Sequence, residues 1–276
     1  LRTFVFTIFA LVAFAANSVL CRLALGASAI DAASFTTIRL LSGAIVLWLL
    51  LSGARDTAAR RSDWLSAIYL FLYMAPFSFA YLSLTAGMGA LILFGSVQVS
   101  MILAAFHAGE RPRKMELLGL FTALGGLVYL VSPGLSAPST LGSALMAGAG
   151  FSWGLYSLKG RGNAHPLAAT TANFARAVPF TIVLSAVLLS NAHLSTRGVM
   201  LALLSGTLAS GAGYAVWYAA LKHLSRTRAA VVQLSVPALA ALGGVFFLSE
   251  PISLRLLLSA CVILGGVAMA VLARRA

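Results

Sequence analysis

The chain has 276 residues, of which 61% are hydrophobic and 9% charged, and its formal net charge is +13. Soluble domains carry roughly 25% charged residues, so this composition excludes a water-soluble globular protein. Only six acidic residues stand against nineteen basic ones, which leaves little material for carboxylate catalysis.

A hydrocarbon core takes about 20 residues of helix to cross, and ten apolar runs approach or exceed that length. The first, 3–25, follows Arg2 and carries Asn17 and Cys21. Its apolar stretch is longer than that of a signal peptide, and it reads as a transmembrane helix. Run 32–52 holds Arg39 well inside it. Run 64–83 spaces Tyr69, Tyr73, Phe77 and Tyr81 by four, with Pro76 placed to kink the helix. Trp64, Tyr69 and Tyr81 lie near its ends and fit an interfacial belt. Run 87–107 contains Gln98, and run 115–132 contains Gly125-Gly126.

The second half continues in the same way. Run 139–158 places Trp153 and Tyr156 beside Gly150 and Gly154, and run 166–190 contains Arg176 and Pro179. Run 197–220 carries Tyr214, Trp217 and Tyr218, an i, i+3, i+4 set on one helix face. Run 228–248 holds Gln233 and Pro237, and run 254–272 holds Gly265-Gly266.

The two halves echo each other. Glu110 and Glu250 each precede a Gly-Gly pair by fifteen residues, and a shift of 140 also matches Ala90, Phe106, Leu117 and Leu124 with Ala230, Phe246, Leu257 and Leu264. A shift of 137 aligns Phe14 with Phe151, Arg22 with Lys159 and Arg39 with Arg176. The expected architecture is an all-α integral membrane protein of ten transmembrane helices, with repeats at 1–135 and 136–276. With both termini in the cytoplasm, fourteen of the nineteen basic residues face that side, which obeys the positive-inside rule. Five helices is an odd number, so the two repeats are inverted and enclose a central cavity. The basic charge orients the chain in a membrane and calls for no nucleic-acid partner.

Site candidates follow from what lipid makes costly. Arg39 and Arg176 each lie about 12–15 Å into a helix at 1.5 Å per residue. An intramembrane Arg costs about 2.5–3.5 kcal/mol or more, so each needs a partner, a cavity or an interface. Two roles stay open, attraction of a substrate carboxylate and a structural anchor on helix-end carbonyls, with the anchor favoured. Asn17, Gln98 and Gln233 are amides in apolar helices and need hydrogen-bond partners, which a wet cavity supplies. With Tyr73, Phe77, Trp153, Tyr156, Tyr214, Trp217 and Tyr218 they form the candidate cavity lining, suited to a small zwitterion with an apolar side chain. Pro76, Pro179 and Pro237 are candidate kinks for gating. Glu110 and Glu250, each before a break, are expected to help start the helix that follows.

Several chemistries have no sequence support. There is no G-x-x-x-x-G-K-[ST] loop for ATP, no Cys/His cluster with metal spacing and no nucleophile–His pairing. No cofactor, metal or catalytic residue is expected. All six carboxylates fall at or near helix ends, so none sits deep in a helix where its titration drives a cycle. Cys21 and Cys261 read as free thiols.

Phe246-Phe247-Leu248-Ser249-Glu250-Pro251 followed by Gly265-Gly266, with a first-half copy from Phe106 to Glu110 and Gly125-Gly126, resembles the EamA domain of the drug/metabolite transporter superfamily. Arg39 and Arg176 look like the basic residue that domain carries in its second helix. Within the superfamily the chain looks most like the YddG-type bacterial exporters of aromatic and other amino acids. That resemblance implies outward transport of hydrophobic and neutral amino acids across the bacterial inner membrane by alternating access. An exporter of drugs or other small metabolites is the alternative. Oligomeric state stays open, with a monomer sufficient.

Overall fold

The computed structural model describes residues 2–53, 63–107, 114–134, 137–160, 163–221, 223–224 and 232–273. Among these residues the chain forms ten long helices, a short 3-10 helix at Leu189–Asn191 and no strand beyond a single bridge between Ile30 and Leu194. The helices are α1 (Arg2–Leu25), α2 (Ala32–Ser52), α3 (Trp64–Ala80), α4 (Ala86–His107) and α5 (Lys114–Val131). They continue as α6 (Thr140–Lys159), α7 (Pro166–Val187), α8 (Thr196–Leu221), α9 (Ser235–Leu248) and α10 (Leu254–Ala273). By length and composition α1, α2, α5, α7 and α8 can each cross a membrane, and shorter apolar helices accompany them. The protein is membrane-embedded and multi-pass.

Polar side chains mark where the helices start. Asp31 accepts from the Ser34 amide and Asp63 from the Ser66 amide, both at 2.8 Å. Ser139 and Ser195 do the same for Gly142 and Gly198. Each satisfies an amide that has no partner within its own helix. Burial pushes the Asp31 carboxyl up, but hydrogen bonds from Ser34 and His193 outweigh it and hold the pKa below the usual value. Lys159, 2.6 Å from Asp63, draws that carboxyl down to about 2. Both groups stay ionised near neutral pH, so neither titrates there.

Three expectations about individual residues change. Pro237 lies in the first turn of α9, after a turn at Leu234, and does not kink a helix interior. It has no N–H to give the Gln233 carbonyl, so the helix breaks there and restarts. Pro76 and Pro179 do lie inside α3 and α7. Glu250 does not start α10, whose first turn is served by the Ser253 hydroxyl. A left-handed Ser249 turns the chain so that the Glu250 amide reaches back to the Gly244 carbonyl. The Glu250 carboxylate then accepts from the Ala86 amide at the start of α4 (2.8 Å) and from Arg22 Nε (3.2 Å). Arg22 also donates to the Tyr81 and Leu82 carbonyls, which knots α1, the α3–α4 turn and the α9–α10 turn at one end of the bundle. Tyr81, expected in the belt, is fully buried in that knot and its hydroxyl donates to the Ala86 carbonyl. Glu110 and most basic residues of the charge argument lie outside the described residues.

Helix pairing follows a pattern. α2 packs on α7, and α5 on α10. α3 packs on α6 while α1 packs on α8; α4 packs on α6 while α1 packs on α9; α3 packs on α7 while α2 packs on α8. Exchanging each helix with the one five places away leaves the first two pairs unchanged and turns each of the others into its counterpart. Thr37 meets Thr181 and Ser185 while Gly43 faces Phe174, so α2 and α7 are antiparallel.

Glycine decides the closest approach. In both duplicated pairs the second glycine faces the partner helix and the first faces open space. A Cβ on Gly126 would meet Ile263, and one on Gly266 would sit 2.6 Å from the Ala123 amide nitrogen. Nothing lies within 4 Å of a Cβ on Gly125 or Gly265. Gly126→Ala and Gly266→Ala are therefore expected to lose about 1–3 kcal/mol through overpacking. Gly125→Ala and Gly265→Ala are expected to be neutral or stabilised by up to about 1 kcal/mol of helix propensity. Thermal unfolding of the four variants in detergent checks this, and equal shifts in all four would remove the packing argument.

Candidate functional site

A small cavity lies where α1, α3, α4, α6 and α8 converge with the break before α9. Phe14, Asn17 and Ser18 reach it from α1, and Tyr73 and Phe77 from α3. Leu93 and Phe94 of α4, Trp153 of α6, Tyr214 of α8 and Gln233 complete the wall. The free space is about 30 Å³, room for about one or two waters. A larger ligand has to turn the aromatic rings aside.

Those rings form one connected set. Tyr73 and Trp153 have centroids 4.8 Å apart, and Trp153 lies 5.4 Å from both Tyr156 and Tyr214. Phe14 packs edge-on against Tyr214 and Trp217 at 5.7 Å. Edge contacts of this kind stabilise by about 0.5–1.5 kcal/mol each beyond area burial.

Of the sequence candidates, Asn17, Tyr73, Phe77, Trp153, Tyr214 and Gln233 line the cavity. Gln98 is buried on α4 outside the lining. Tyr156 stands behind Trp153 and is bonded by Asn173 of α7. The helix 8 trio divides: Tyr214 faces the cavity, Trp217 packs against α1, and Tyr218 turns to α7, where its hydroxyl accepts from Thr170. An i, i+3, i+4 arc is wide enough to touch three neighbours. Phe14, Ser18, Leu93 and Phe94 were not among the candidates, because nothing in the sequence separates a cavity phenylalanine from a lipid-facing one.

Asn17 owes its place to an irregularity in α8, which widens into π-helix over Ser205–Ala212. Asn17 Nδ2 donates to the Ala209 carbonyl at 3.1 Å, and its Oδ1 accepts from Ser205 (2.8 Å) and Ser210 (3.3 Å). π-helical turns occur often at functional sites. Gly206 in this turn lies against the Arg39 carbonyl and the Ser42 hydroxyl, too close for a side chain.

The two intramembrane arginines differ. Arg39 has no exposed surface. Its Nε donates to Ser210 Oγ at 3.3 Å, and its guanidinium lies 4.8 Å from the Phe77 ring centre and 5.9 Å from that of Tyr73. Its two terminal nitrogens have no hydrogen-bond partner among the described residues. Arg39 thus sits directly behind two cavity-wall rings with four N–H bonds unused. Arg176 is half-buried over the Trp64 ring at 5.9 Å, away from the lining. A second space, about 300 Å³, opens at the Arg22–Glu250 end between Leu23, Gly26, Leu248 and the exposed Arg197.

The EamA-like transporter family matches residues 140–272. An uncharacterized protein of Pseudomonas aeruginosa is 50% identical over 97% of this chain and 94% of its own length. Uncharacterized transporters of Archaeoglobus fulgidus and Bacillus subtilis are 29% and 21% identical, over 68% and 85% of this chain and 70% and 85% of theirs. A crystal structure 20% identical covers 97% of both chains with a TM-score of 0.69 and shares the fold. The chain belongs to the EamA-like transporter family.

Proposed function

We propose that this transporter is a bacterial inner-membrane exporter of aromatic and other neutral or hydrophobic amino acids. Ten transmembrane helices form two inverted five-helix repeats, both termini are cytoplasmic, and the cavity opens alternately to each side. The helix pairs that exchange under a five-place shift support the repeat, and the YddG-type resemblance of the sequence supports the substrate class.

One observation carries the reading: the Arg39 guanidinium is buried behind the aromatic wall with both terminal nitrogens unpartnered. Leaving a buried cation unpaired is strongly unfavourable, by about 3–5 kcal/mol where measured. A carboxylate entering between Tyr73 and Phe77 would relieve that penalty, and the rings would hold an apolar side chain. The same cation disfavours positively charged drugs, since among the described residues no carboxylate lines the cavity. The knot of Arg22, Glu250, Tyr81 and Ala86 closes one end, which the charge distribution makes the outer one, and it has to part when the cavity opens outward.

Proteoliposomes with radiolabelled phenylalanine, threonine and methionine, with and without a pH gradient, test the reading; absence of flux for all three would overturn it. Arg39→Gln is expected to weaken phenylalanine binding about tenfold or more, the worth of a hydrogen bond to a charged group, while Arg176→Gln stays within about twofold. Equal effects would return Arg39 to a purely structural role. Cys21 is fully buried beside the knot. Glu250→Gln, in a Cys261→Ser background, is expected to speed maleimide labelling of Cys21, and an unchanged rate would argue that the knot is not the closure.

A further inference from the structure

Arg39 is not alone in lacking partners near the cavity. Asn173 of α7 is 6% exposed, its Nδ2 donates to the Tyr156 hydroxyl at 3.3 Å, and its Oδ1 has no partner among the described residues. The Tyr156 hydroxyl takes the amide's donor end, so the end left free is the acceptor oxygen. An unsatisfied buried polar atom costs about 1–3 kcal/mol. The Tyr156 ring lies 5.4 Å from Trp153, which lines the cavity, and Phe174 next in the chain lies 5.7 Å from Tyr214, which lines it too. Thr170, one turn earlier on the same helix, has its hydroxyl on Tyr218.

We infer that Asn173, oriented by Tyr156, is the group that receives the ammonium of the substrate, behind Trp153 and at the far end of the Tyr73–Trp153–Tyr156 ring set from Arg39. This rests on the amino-acid reading above. It gives the site a polarity: orphan donors on α2 for a carboxylate, an orphan acceptor on α7 for an ammonium, and aromatic faces between them that also attract a cation. Arg176, the residue aligned with Arg39, is turned toward Trp64. Asn173, three positions before it, takes the inward place.

The test is a ligand series on the purified full chain, by calorimetry. Phenylalanine carries both charges, hydrocinnamate lacks the ammonium, and phenethylamine lacks the carboxylate. Asn173→Leu is expected to weaken phenylalanine about tenfold and to leave hydrocinnamate unchanged. Equal losses for both ligands, or none for either, would overturn the assignment. Asn173→Asp supplies a second reading if the leucine variant does not fold: phenethylamine should bind more tightly than to the wild type, and no gain overturns the assignment. Wild-type protein that binds phenylalanine while these variants fail to discriminate defeats only the role of Asn173. Wild-type protein that binds none of the three defeats the amino-acid reading and this inference with it.

Discussion

Lipid gives a helix no hydrophobic reason to touch another helix, so contact among these ten rests on small residues that let backbones meet. Gly126 and Gly266 set the approach of α5 and α10, and Gly206 sets the approach of α8 to α2. The same solvent makes each polar side chain accountable, because no water is at hand to satisfy it. Asn17 is accounted for by the π-helical turn of α8, where the Ala209 carbonyl and the Ser205 and Ser210 hydroxyls meet both ends of its amide. Arg39 and Asn173 are only half accounted for; Arg39 stands one ring from the cavity, and Asn173 two, behind Tyr156 and Trp153.

The knot around Glu250 shows the same rule at the bundle's end. A carboxylate following α9 would oppose that helix's dipole, yet it is aimed at the first turn of α4, where a negative charge is favourable. Ser249 adopts a left-handed conformation to aim it, at a steric cost of roughly 1–2 kcal/mol for a residue with a Cβ. Arg22 neutralises the charge and satisfies two carbonyls of the α3–α4 turn. One half-buried acid thereby connects three segments far apart in sequence.

Helix positions were readable from the sequence because apolar run length is itself the physical requirement for spanning. Side-chain direction was not. Trp217 and Tyr218 share an arc with Tyr214, but which of the three meets the cavity depends on how α1 and α7 flank α8. The role of Glu250 depended on a left-handed residue and on a helix 164 positions away. Asn173 left a faint signal, since Thr170, Thr171 and Asn173 cluster in an otherwise apolar run.

Two halves with matching helix pairs invite the thought that their sites match as well. They do not. α2 brings Arg39 inward, whereas α7 sends Arg176 to Trp64 and presents an amide with a spare end. The break before α9 leaves Gln233 at the cavity, while α4 runs unbroken past Gln98, which the lining excludes. A transporter with identical half-sites would hold a zwitterion equally well in two orientations. On the proposed amino-acid reading, donors on α2 and an acceptor on α7 remove that degeneracy, so the substrate would meet each gate with the same end in every cycle.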